Sequence, residues 1–325
     1  FLSENSAFCY AVEKVGINYI GPTPESIQLL GDKITSRRTA LEADVPVAPS
    51  VQFDGDKEQF IQTCKEMGFP LLIKASAGGG GKGMHVVTNA DELTEKLETS
   101  SSEAERYFGD SRVYAEIYIS ESRHIEVQIL GDGTGNVIHL FERECSIQRR
   151  FQKIIEESPA PNLNSALRDR ICAAACSLAR KVNYRNAGTV EFIVSGDNSF
   201  YFLEMNTRLQ VEHPVTELVC DLDLVREQIT IAHTGSLSFS QEEISQTGHA
   251  IESRICCENP ANNFMPVTGK IEKLHLPDLE GVRYDLGFVE GQTITSDFDS
   301  MIGKLICYAT DRPTAIKKCT QVIEE

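Results

Sequence analysis

The stretch YFLEMNTRLQVEHP, which runs from Tyr201 to Pro214, carries more chemical information than any other part of the 325-residue chain. Side chains alternate between the two faces of an extended strand, with same-face neighbours about 6.7 Å apart. A strand through this stretch would gather five polar groups on one face: Glu204, Asn206, Arg208, Gln210 and Glu212. The opposite, buried face would receive Leu203, Met205, Leu209 and Val211. A row of acid, amide, cation, amide and acid suits the binding of two anionic substrates, although a solvated strand face would show the same row.

The first part of this row predicts a metal or phosphate site. In the preceding predicted strand, residues 188–194, Glu191 points away from the apolar side chains, and a short turn separates that strand from Glu204. Neighbouring strands of a hairpin would bring both carboxylates within reach of one divalent ion, with Asn206 beside them. Taken alone, Glu191 would more often be a solvent-facing strand residue.

Composition and charge exclude several classes of protein. The chain is 41% hydrophobic and 24% charged, as in ordinary globular proteins. Its net charge of −17 argues against a nucleic-acid partner, which requires clustered Lys and Arg. No long apolar run or signal peptide is visible, so we expect no membrane span and a cytoplasmic protein, or one of the mitochondrial matrix in a eukaryote. Ten cysteines without a C-x-x-C pair are typical of free thiols.

The order of the predicted elements indicates a mixed α/β or α+β fold. The chain opens without Met and is interpreted as an internal piece of a longer polypeptide, in which a helix over 5–15 and a strand over 17–20 end an αβ domain. A polar stretch over 236–248 predicts a boundary, and short strands dominate afterwards. Further helices are predicted over 26–30, 33–41, 56–67, 165–182, 222–234 and 313–325, and further strands over 71–75, 84–87, 113–119, 125–130, 137–142 and 200–206.

Residues 74–84, KASAGGGGKGM, contain a glycine-rich loop. Its glycines formally satisfy G-x-G-x-x-G, but a dinucleotide-binding loop must open a helix, and the residues that follow favour a strand. The Walker pattern fails because glycine follows Lys82. The remaining interpretation is a strand–loop–strand hairpin whose backbone N–H groups close over phosphates, with charge from Lys74 and Lys82. A mobile surface hairpin is the alternative.

Residues 142–153, ERECSIQRRFQK, are interpreted as a basic loop, dense in cations for so acidic a chain. An exposed salt-bridge network explains such a run, and so does an anion pocket. A phosphate site elsewhere in the chain favours the pocket.

Four segments carry a resemblance to a known family: residues 74–83, CSIQRR at 145–150, EMNTRLQVEHPVTE at 204–217, and DSMIGKL at 299–305. Together they resemble biotin carboxylase, the ATP-grasp component of the biotin-dependent carboxylases. The resemblance runs from one end of the chain to the other in the family's order. It implies a truncated N-terminal αβ domain over 1–32, an ATP-grasp domain over 33–236 with a glycine-rich lid subdomain over about 48–118, and a truncated β-rich C-terminal domain over 248–325.

The resemblance also implies roles for individual residues. The implied nucleotide-binding residues are Lys33, Lys74, Gly78, Gly79, Gly80, Gly81, Lys82, Gly83, Glu116, Ile117, Tyr118, Ile119, His124 and Gln148. The implied ligands of Mg²⁺ or Mn²⁺ are Glu191, Glu204 and Asn206. The implied bicarbonate site consists of Lys153, Arg208, Gln210, Val211 and Glu212, and Arg254 is the implied biotin contact. Phe151 departs from the pattern, because histidine often occupies that place next to the nucleotide.

The activity implied is the ATP- and bicarbonate-dependent carboxylation of biotin on a carrier, through carboxyphosphate. This is the first half-reaction of an acetyl-CoA or propionyl-CoA type of carboxylase, or of pyruvate carboxylase. The implied partners are a biotin carboxyl carrier, a carboxyltransferase component and further copies of the chain. Two alternatives are an ATP-grasp ligase that uses ammonia, as in carbamoyl-phosphate synthesis, and a nucleotide-binding module without activity. The segment at Arg254, residues 299–305 and the full set of acids and bases favour biotin carboxylation.

Overall fold

The computed structural model describes residues 2–77 and 83–325. The predicted phosphate contacts Gly78, Gly79, Gly80, Gly81 and Lys82 lie outside the described residues, and Gly83 lies inside them. In the part of the chain that is described, no helix is both long and apolar enough to cross a membrane.

The helices mostly begin where the sequence supplies a capping side chain. Seven of them follow a Thr, Asn or Asp whose side chain accepts a backbone N–H bond, an arrangement that typically contributes about 1 kcal/mol. The helices in the described residues are α1 (Ser6–Lys14), α2 (Pro24–Gly31), α3 (Lys33–Glu42), α4 (Lys57–Met67), α5 (Leu93–Phe108), α6 (Ser165–Lys181), α7 (His213–Cys220), α8 (Leu224–Thr234) and α9 (Arg312–Glu324).

The strands pair antiparallel in two main sheets and two short two-stranded sheets. They are β1 (Ser50–Gln52), β2 (Leu71–Ala75), β3 (His85–Val87), β4 (Val113–Ile117), β5 (Arg123–Asp132), β6 (Val137–Arg149), β7 (Gln152–Ser158), β8 (Arg185–Val194), β9 (Phe200–Asn206), β10 (His249–Cys256), β11 (Glu258–Asn259), β12 (Met265–Pro266), β13 (Gly269–Lys270), β14 (Val282–Leu286), β15 (Thr293–Ile294) and β16 (Met301–Ala309). The two short sheets pair β11 with β12 and β13 with β15. This mixture of helices with a large antiparallel sheet confirms the predicted fold class.

The larger sheet has eight strands in the order β14-β16-β10-β7-β6-β5-β8-β9. Its central strands alternate strictly: Ile125, Val127 and Val190 pack against the apolar face of α6, whose buried side chains include Ile171 and Leu178. The intervening polar residues must therefore point to the opposite face. Since β10 pairs with β7, the C-terminal strands continue the same sheet, and one surface runs from β9 to β14.

The smaller sheet, in the order β1-β4-β2-β3, lies within the predicted lid subdomain. It has its own apolar core, in which Phe60 of α4 and Leu97 of α5 pack with Ile73 and Val113. The glycine-rich segment joins β2 to β3, and these strands pair directly, as predicted for a strand–loop–strand hairpin. The predicted domain boundaries themselves stay predictions.

The predicted strand over 200–206 coincides with β9, but the polar row does not continue as a strand. The chain turns after Asn206, and α7 begins at His213. A register shift between β8 and β9 leaves Leu203 as an extra residue, so it lines the same cavity as Glu204. The prediction that Leu203 faces the buried side is therefore wrong, whereas Met205 is buried as expected.

Two further predictions of local structure are wrong. Residues 17–20 form no strand. No strand of the described structure lies beside them to accept or donate backbone hydrogen bonds, and Ile17 is 60% exposed. Residues 142–153 are not a loop. Strand β6 continues to Arg149, and Arg150 and Phe151, both with positive φ, make the tight turn into β7.

Close packing between β5 and the end of α6 gives a test of the central sheet. A Cβ atom added to Gly131 would lie 2.1 Å from the backbone oxygen of Tyr184, which cannot move without disturbing β5 and β8. We expect Gly131→Ala to lower the free energy of unfolding by about 1–3 kcal/mol or more, measured by urea denaturation. Gly196→Ala is the control, since nothing lies within 4 Å of its added Cβ. Equal stability of the two variants would contradict the packing.

Candidate active site

A cavity of about 940 Å³ lies between the polar face of the large sheet and the lid subdomain. Apart from Gly83, every site residue predicted from the sequence and described in the structure lines this cavity. These residues are Lys33, Lys74, Glu116, Ile117, Tyr118, Ile119, His124, Gln148, Lys153, Glu191, Glu204, Asn206, Arg208, Gln210, Val211, Glu212 and Arg254. The fold therefore brings together segments that are up to 221 positions apart in sequence, from Lys33 to Arg254.

A fully buried guanidinium lies beneath the cavity floor. Arg143 of β6 is 0% exposed, and each of its nitrogens donates to a protein oxygen. Five hydrogen bonds match the five N–H donors of a guanidinium. The acceptors are Glu126, Gln128 at 2.8 Å, Thr216 at 3.1 Å, Thr189 at 3.1 Å and Gln210 at 2.9 Å. Arg143 thus fixes β5, β8, α7 and the segment before α7 relative to β6.

Lys153 is the cation at the centre of the floor. Its Nζ donates to Glu126, to Glu191 Oε1 at 2.8 Å and to Glu212 Oε1 at 2.7 Å. Burial alone would lower the pKa of Lys153, but the carboxylates of Glu126 and Glu191 outweigh burial and hold that pKa well above its ordinary value. Lys153 is therefore charged at every physiological pH.

Glu191 and Glu204 lie directly opposite each other in the β8–β9 register, as predicted for neighbouring strands of a hairpin. Asn206 donates to Glu191 Oε1 at 2.8 Å, and Glu204 Oε2 lies 3.8 Å from Lys33 Nζ. Burial would raise the pKa of Glu191, but Lys153 and His124, whose Nε2 lies 2.9 Å away, hold it well below the ordinary value. The carboxylate is therefore ionised, as a ligand of a hard cation must be.

A second candidate metal cluster is already filled by a cation. His124, Glu126 and Glu191 bring ligand atoms within 4.8 Å of one another. The Lys153 ammonium bonds to both of these carboxylates, so its charge takes the place that a metal ion would have there. Glu191 and Glu204, on β8 and β9, stay the predicted metal ligands.

Glu212 is held between two cations. Its Oε1 accepts from Lys153, and its Oε2 accepts from Arg254 Nη2 at 3.0 Å. Burial would raise the pKa of Glu212, but Lys153, Arg143 and Arg254 lower it to about 2. Arg254 in turn donates from Nε to Glu156 Oε1 at 2.7 Å. The predicted base and the predicted biotin contact are therefore in direct contact.

Arg208 lies beside this group, on the turn that follows β9. Its Nη2 donates to Asn206 Oδ1 at 3.1 Å, and its Nε donates to Glu4 Oε2 at 2.9 Å. The contact with Glu4 joins the N-terminal segment to the floor of the cavity across 204 positions.

The lid side of the cavity combines an apolar wall with one buried lysine. Leu72, Met84 and Ile117 line this wall. Ile193 of β8 and Leu203 of β9 add apolar surface from the large sheet, and together these side chains suit a flat heterocyclic base. Lys74 is buried and forms an ion pair with Glu116, which also accepts from Arg37 at 2.8 Å. Glu116 thus orients Lys74 towards the cavity.

Sequence reasoning missed several residues on which this geometry depends. Glu126, Arg143 and Glu156 are buried charged residues of the central strands, and each bonds to a predicted site residue. Glu126 could have been found from the sequence, because it lies in a predicted strand and follows His124 by two positions. Side chains two positions apart in a strand lie on the same face. Lys304, within the DSMIGKL segment, donates to the backbone oxygen of Val211.

Comparison with known proteins agrees with this geometry. Residues 32–240 match the family model described as carbamoyl-phosphate synthase L chain, ATP binding domain, and residues 252–325 match the biotin carboxylase C-terminal domain. The chain is 48% identical to a pyruvate carboxylase component of Methanothermobacter thermautotrophicus and 46% identical to biotin carboxylase of Nostoc. In both cases the whole chain is matched, and it spans 66% of the first relative and 73% of the second.

A solved structure shows the same architecture. The biotin carboxylase domain dimer of Hydrogenobacter thermophilus 2-oxoglutarate carboxylase, in complex with MgADP, ADP and bicarbonate, is 42% identical. It matches with a TM-score of 0.96 over all of this chain and 72% of its own. The fold and the cavity define a member of the ATP-grasp class. The chain belongs to the biotin carboxylase family.

Removing the buried guanidinium tests how far the site depends on it. Arg143→Met would leave Glu126 and its neighbouring amides without their main donor, so we expect a loss of about 3–5 kcal/mol in the free energy of unfolding. Chemical denaturation measures it. Arg226→Met is the matched control, because Arg226 is exposed on α8 and should change stability by less than about 0.5 kcal/mol. A loss no larger than the control's would refute the structural role of Arg143.

Proposed function

We propose that the chain catalyses the ATP- and bicarbonate-dependent carboxylation of biotin held on a carrier, through carboxyphosphate. The observation that carries the proposal is the contact of Lys153 and Arg254 with one carboxylate, Glu212, at the floor of a cavity that also has an apolar lining. The cations of the floor can bind a small anion, and the Glu212 carboxylate can accept a proton from it. The apolar lining can contact the base of a nucleotide.

Lys153 and Arg208 would hold bicarbonate beside the terminal phosphate of ATP. Glu212, ionised at neutral pH, would accept the bicarbonate proton as general base. A bound anion competes with Glu212 for the same cations, so its arrival raises the basicity of Glu212 at the moment when a base is needed. The bicarbonate oxygen would then attack the γ-phosphorus, and ADP would leave.

The residues present fit a hard divalent cation. Mg²⁺ and Mn²⁺ prefer oxygen ligands. Such ligands are supplied by the carboxylates of Glu191 and Glu204, which lie opposite each other, and by the amide of Asn206. A bound ion would neutralise charge on the transferring phosphoryl group. Lys74, fixed by Glu116, would add a second positive charge on the lid side.

Arg254 would act in the second step. Carboxyphosphate breaks into CO₂ and phosphate, and the phosphate takes the proton of the ureido nitrogen of biotin. The ureido oxygen then carries negative charge, and a guanidinium fixed beside it stabilises that charge. The nitrogen attacks CO₂ and becomes carboxylated.

The family relationship supports further proposals about partners. Biotin would arrive on a carboxyl carrier domain or protein, and a carboxyltransferase component would use the carboxybiotin. Association with further copies of the chain is proposed because the Hydrogenobacter relative is a dimer.

The direct test is phosphate release from ATP by the purified protein with Mg²⁺. We expect hydrolysis that requires bicarbonate and that free biotin stimulates. Stimulation by ammonia instead of biotin would favour carbamoyl-phosphate chemistry. ATP binding without any turnover would favour an inactive nucleotide-binding module.

Alanine substitutions separate the anion and biotin contacts from the nucleotide site. Arg208→Ala and Arg254→Ala should each lower turnover about 10²–10³-fold, because each removes one stabiliser of developing charge. ATP affinity, measured by titration calorimetry, should barely change. Arg226→Ala, a remote arginine, serves as control. A loss of nucleotide affinity as large as the loss of turnover would refute these assignments.

A further inference from the structure

Two buried carboxylates lie behind Arg254, and the chemistry above does not use them. Glu156 of β7 and Glu252 of β10 are directly opposite each other in an antiparallel register, and both are 0% exposed. Within the described residues, both oxygens of Glu252 and Oε2 of Glu156 have no hydrogen-bond partner. Side chains at such positions are about 5 Å apart at Cβ, and like charges there repel.

The surrounding charges decide which of the two acids is ionised. Glu156 accepts a charged hydrogen bond from Arg254 Nε at 2.7 Å. Among the described residues, the ion pair of Glu252 is a more distant one, with Lys304 of β16 at 3.9 Å. The Lys304 ammonium also donates to the backbone oxygen of Val211 and lies 3.7 Å from Asp285 of β14. Glu212 adds a further negative charge on the side of Arg254. Glu156 therefore has the better counterion, and Glu252 the worse.

The directions in which the pKa values of the two carboxyl groups are shifted agree with this geometry. Burial raises the pKa of Glu252 to about 9, since Lys304 opposes burial only in part and Glu156 adds to it. Burial raises the pKa of Glu156 to about 7, because Arg254 opposes burial more effectively. Glu252 holds its proton to a higher pH than Glu156 does.

We propose that the pair carries one proton, on Glu252, and that the single negative charge on Glu156 makes it a positioning residue that orients Arg254 for the biotin step. The inference rests on the proposed function. It assigns Glu156 a role in the reaction and leaves Glu252 as a neutral acid.

The catalytic cycle gives the reason for a second anchor. Arg254 has two carboxylate partners, Glu212 through Nη2 and Glu156 through Nε. When Glu212 takes the bicarbonate proton, it loses the charge that holds Arg254. Above about pH 7, Glu156 keeps its charge, so Arg254 stays in place while biotin is deprotonated. A second ionised acid at Glu252 would instead weaken the positive potential that Arg254 offers to the biotin oxygen.

Two isosteric variants test the assignment. Glu252→Gln mimics a protonated acid, so we expect biotin-stimulated turnover within about twofold of the unmodified protein. Glu156→Gln removes the charge, so kcat/KM for biotin should fall roughly 10–100-fold, as expected for a misplaced catalytic group. Bicarbonate-dependent ATP hydrolysis without biotin should be retained in both. Glu156→Asp should recover part of the loss. Equal behaviour of Glu156→Gln and Glu252→Gln, in either direction, would overturn the proposal.

The pH profile keeps the test decisive if Glu156→Gln does not fold. In the unmodified protein, biotin-stimulated turnover should fall as the pH drops through about 7, where Glu156 gains a proton. It should also fall as the pH rises through about 9, where Glu252 ionises. Glu252→Gln should lack that loss, and an identical alkaline loss in this variant would overturn the proposal. Failure of the proposed function itself looks different: the unmodified protein would show no stimulation by biotin at all.

Discussion

The buried guanidinium of Arg143 is the constraint on which the site depends. Its five hydrogen bonds reach β5, β8, the segment before α7 and α7 itself, and the side chain is fully buried. An arginine in the interior is stable only when every donor is satisfied and a carboxylate compensates its charge. Glu126 supplies that charge, and because Glu126 also binds Lys153, the buried pair sets the position of the central cation of the cavity.

Acidic and basic side chains alternate along the floor of the cavity, starting at Glu126. Glu126, Lys153, Glu212, Arg254 and Glu156 follow one another through direct hydrogen bonds. Each cation lies between two carboxylates, so no side chain needs to reorganise much when charge moves onto a substrate. Such preorganisation in a region of low dielectric gives electrostatic stabilisation its strength in enzymes. The same arrangement explains why Glu212 is held ionised and why Glu252, whose counterion Lys304 lies 3.9 Å away, is not.

Much of the candidate site follows from alternation and hairpin pairing alone. Glu191 and Glu204 are opposite each other because two predicted strands are joined by a short turn, and a register slipped by one residue would turn Val190, Phe192 and Met205 out of the core. The bulge at Leu203 could not be predicted, since an extra residue in one strand leaves no mark in the polar pattern. The continuation of β6 through the cationic run was also missed, because a charged strand is recognisable only once its acidic partners on β5 and β7 are known.

The sequence by itself determined most of the helices and strands, the set of polar residues that lines the cavity, the glycine-rich hairpin and the family resemblance. These properties are carried by contiguous residues, and periodicity or motif spacing is enough to recognise them. The tertiary structure alone decided which charges are paired: Arg208 with Glu4, Lys153 with Glu126, and Arg254 with Glu156. The physical reason is that the protonation and function of a buried charge depend on the sign and distance of its neighbours, and strand order places those neighbours far apart in the chain.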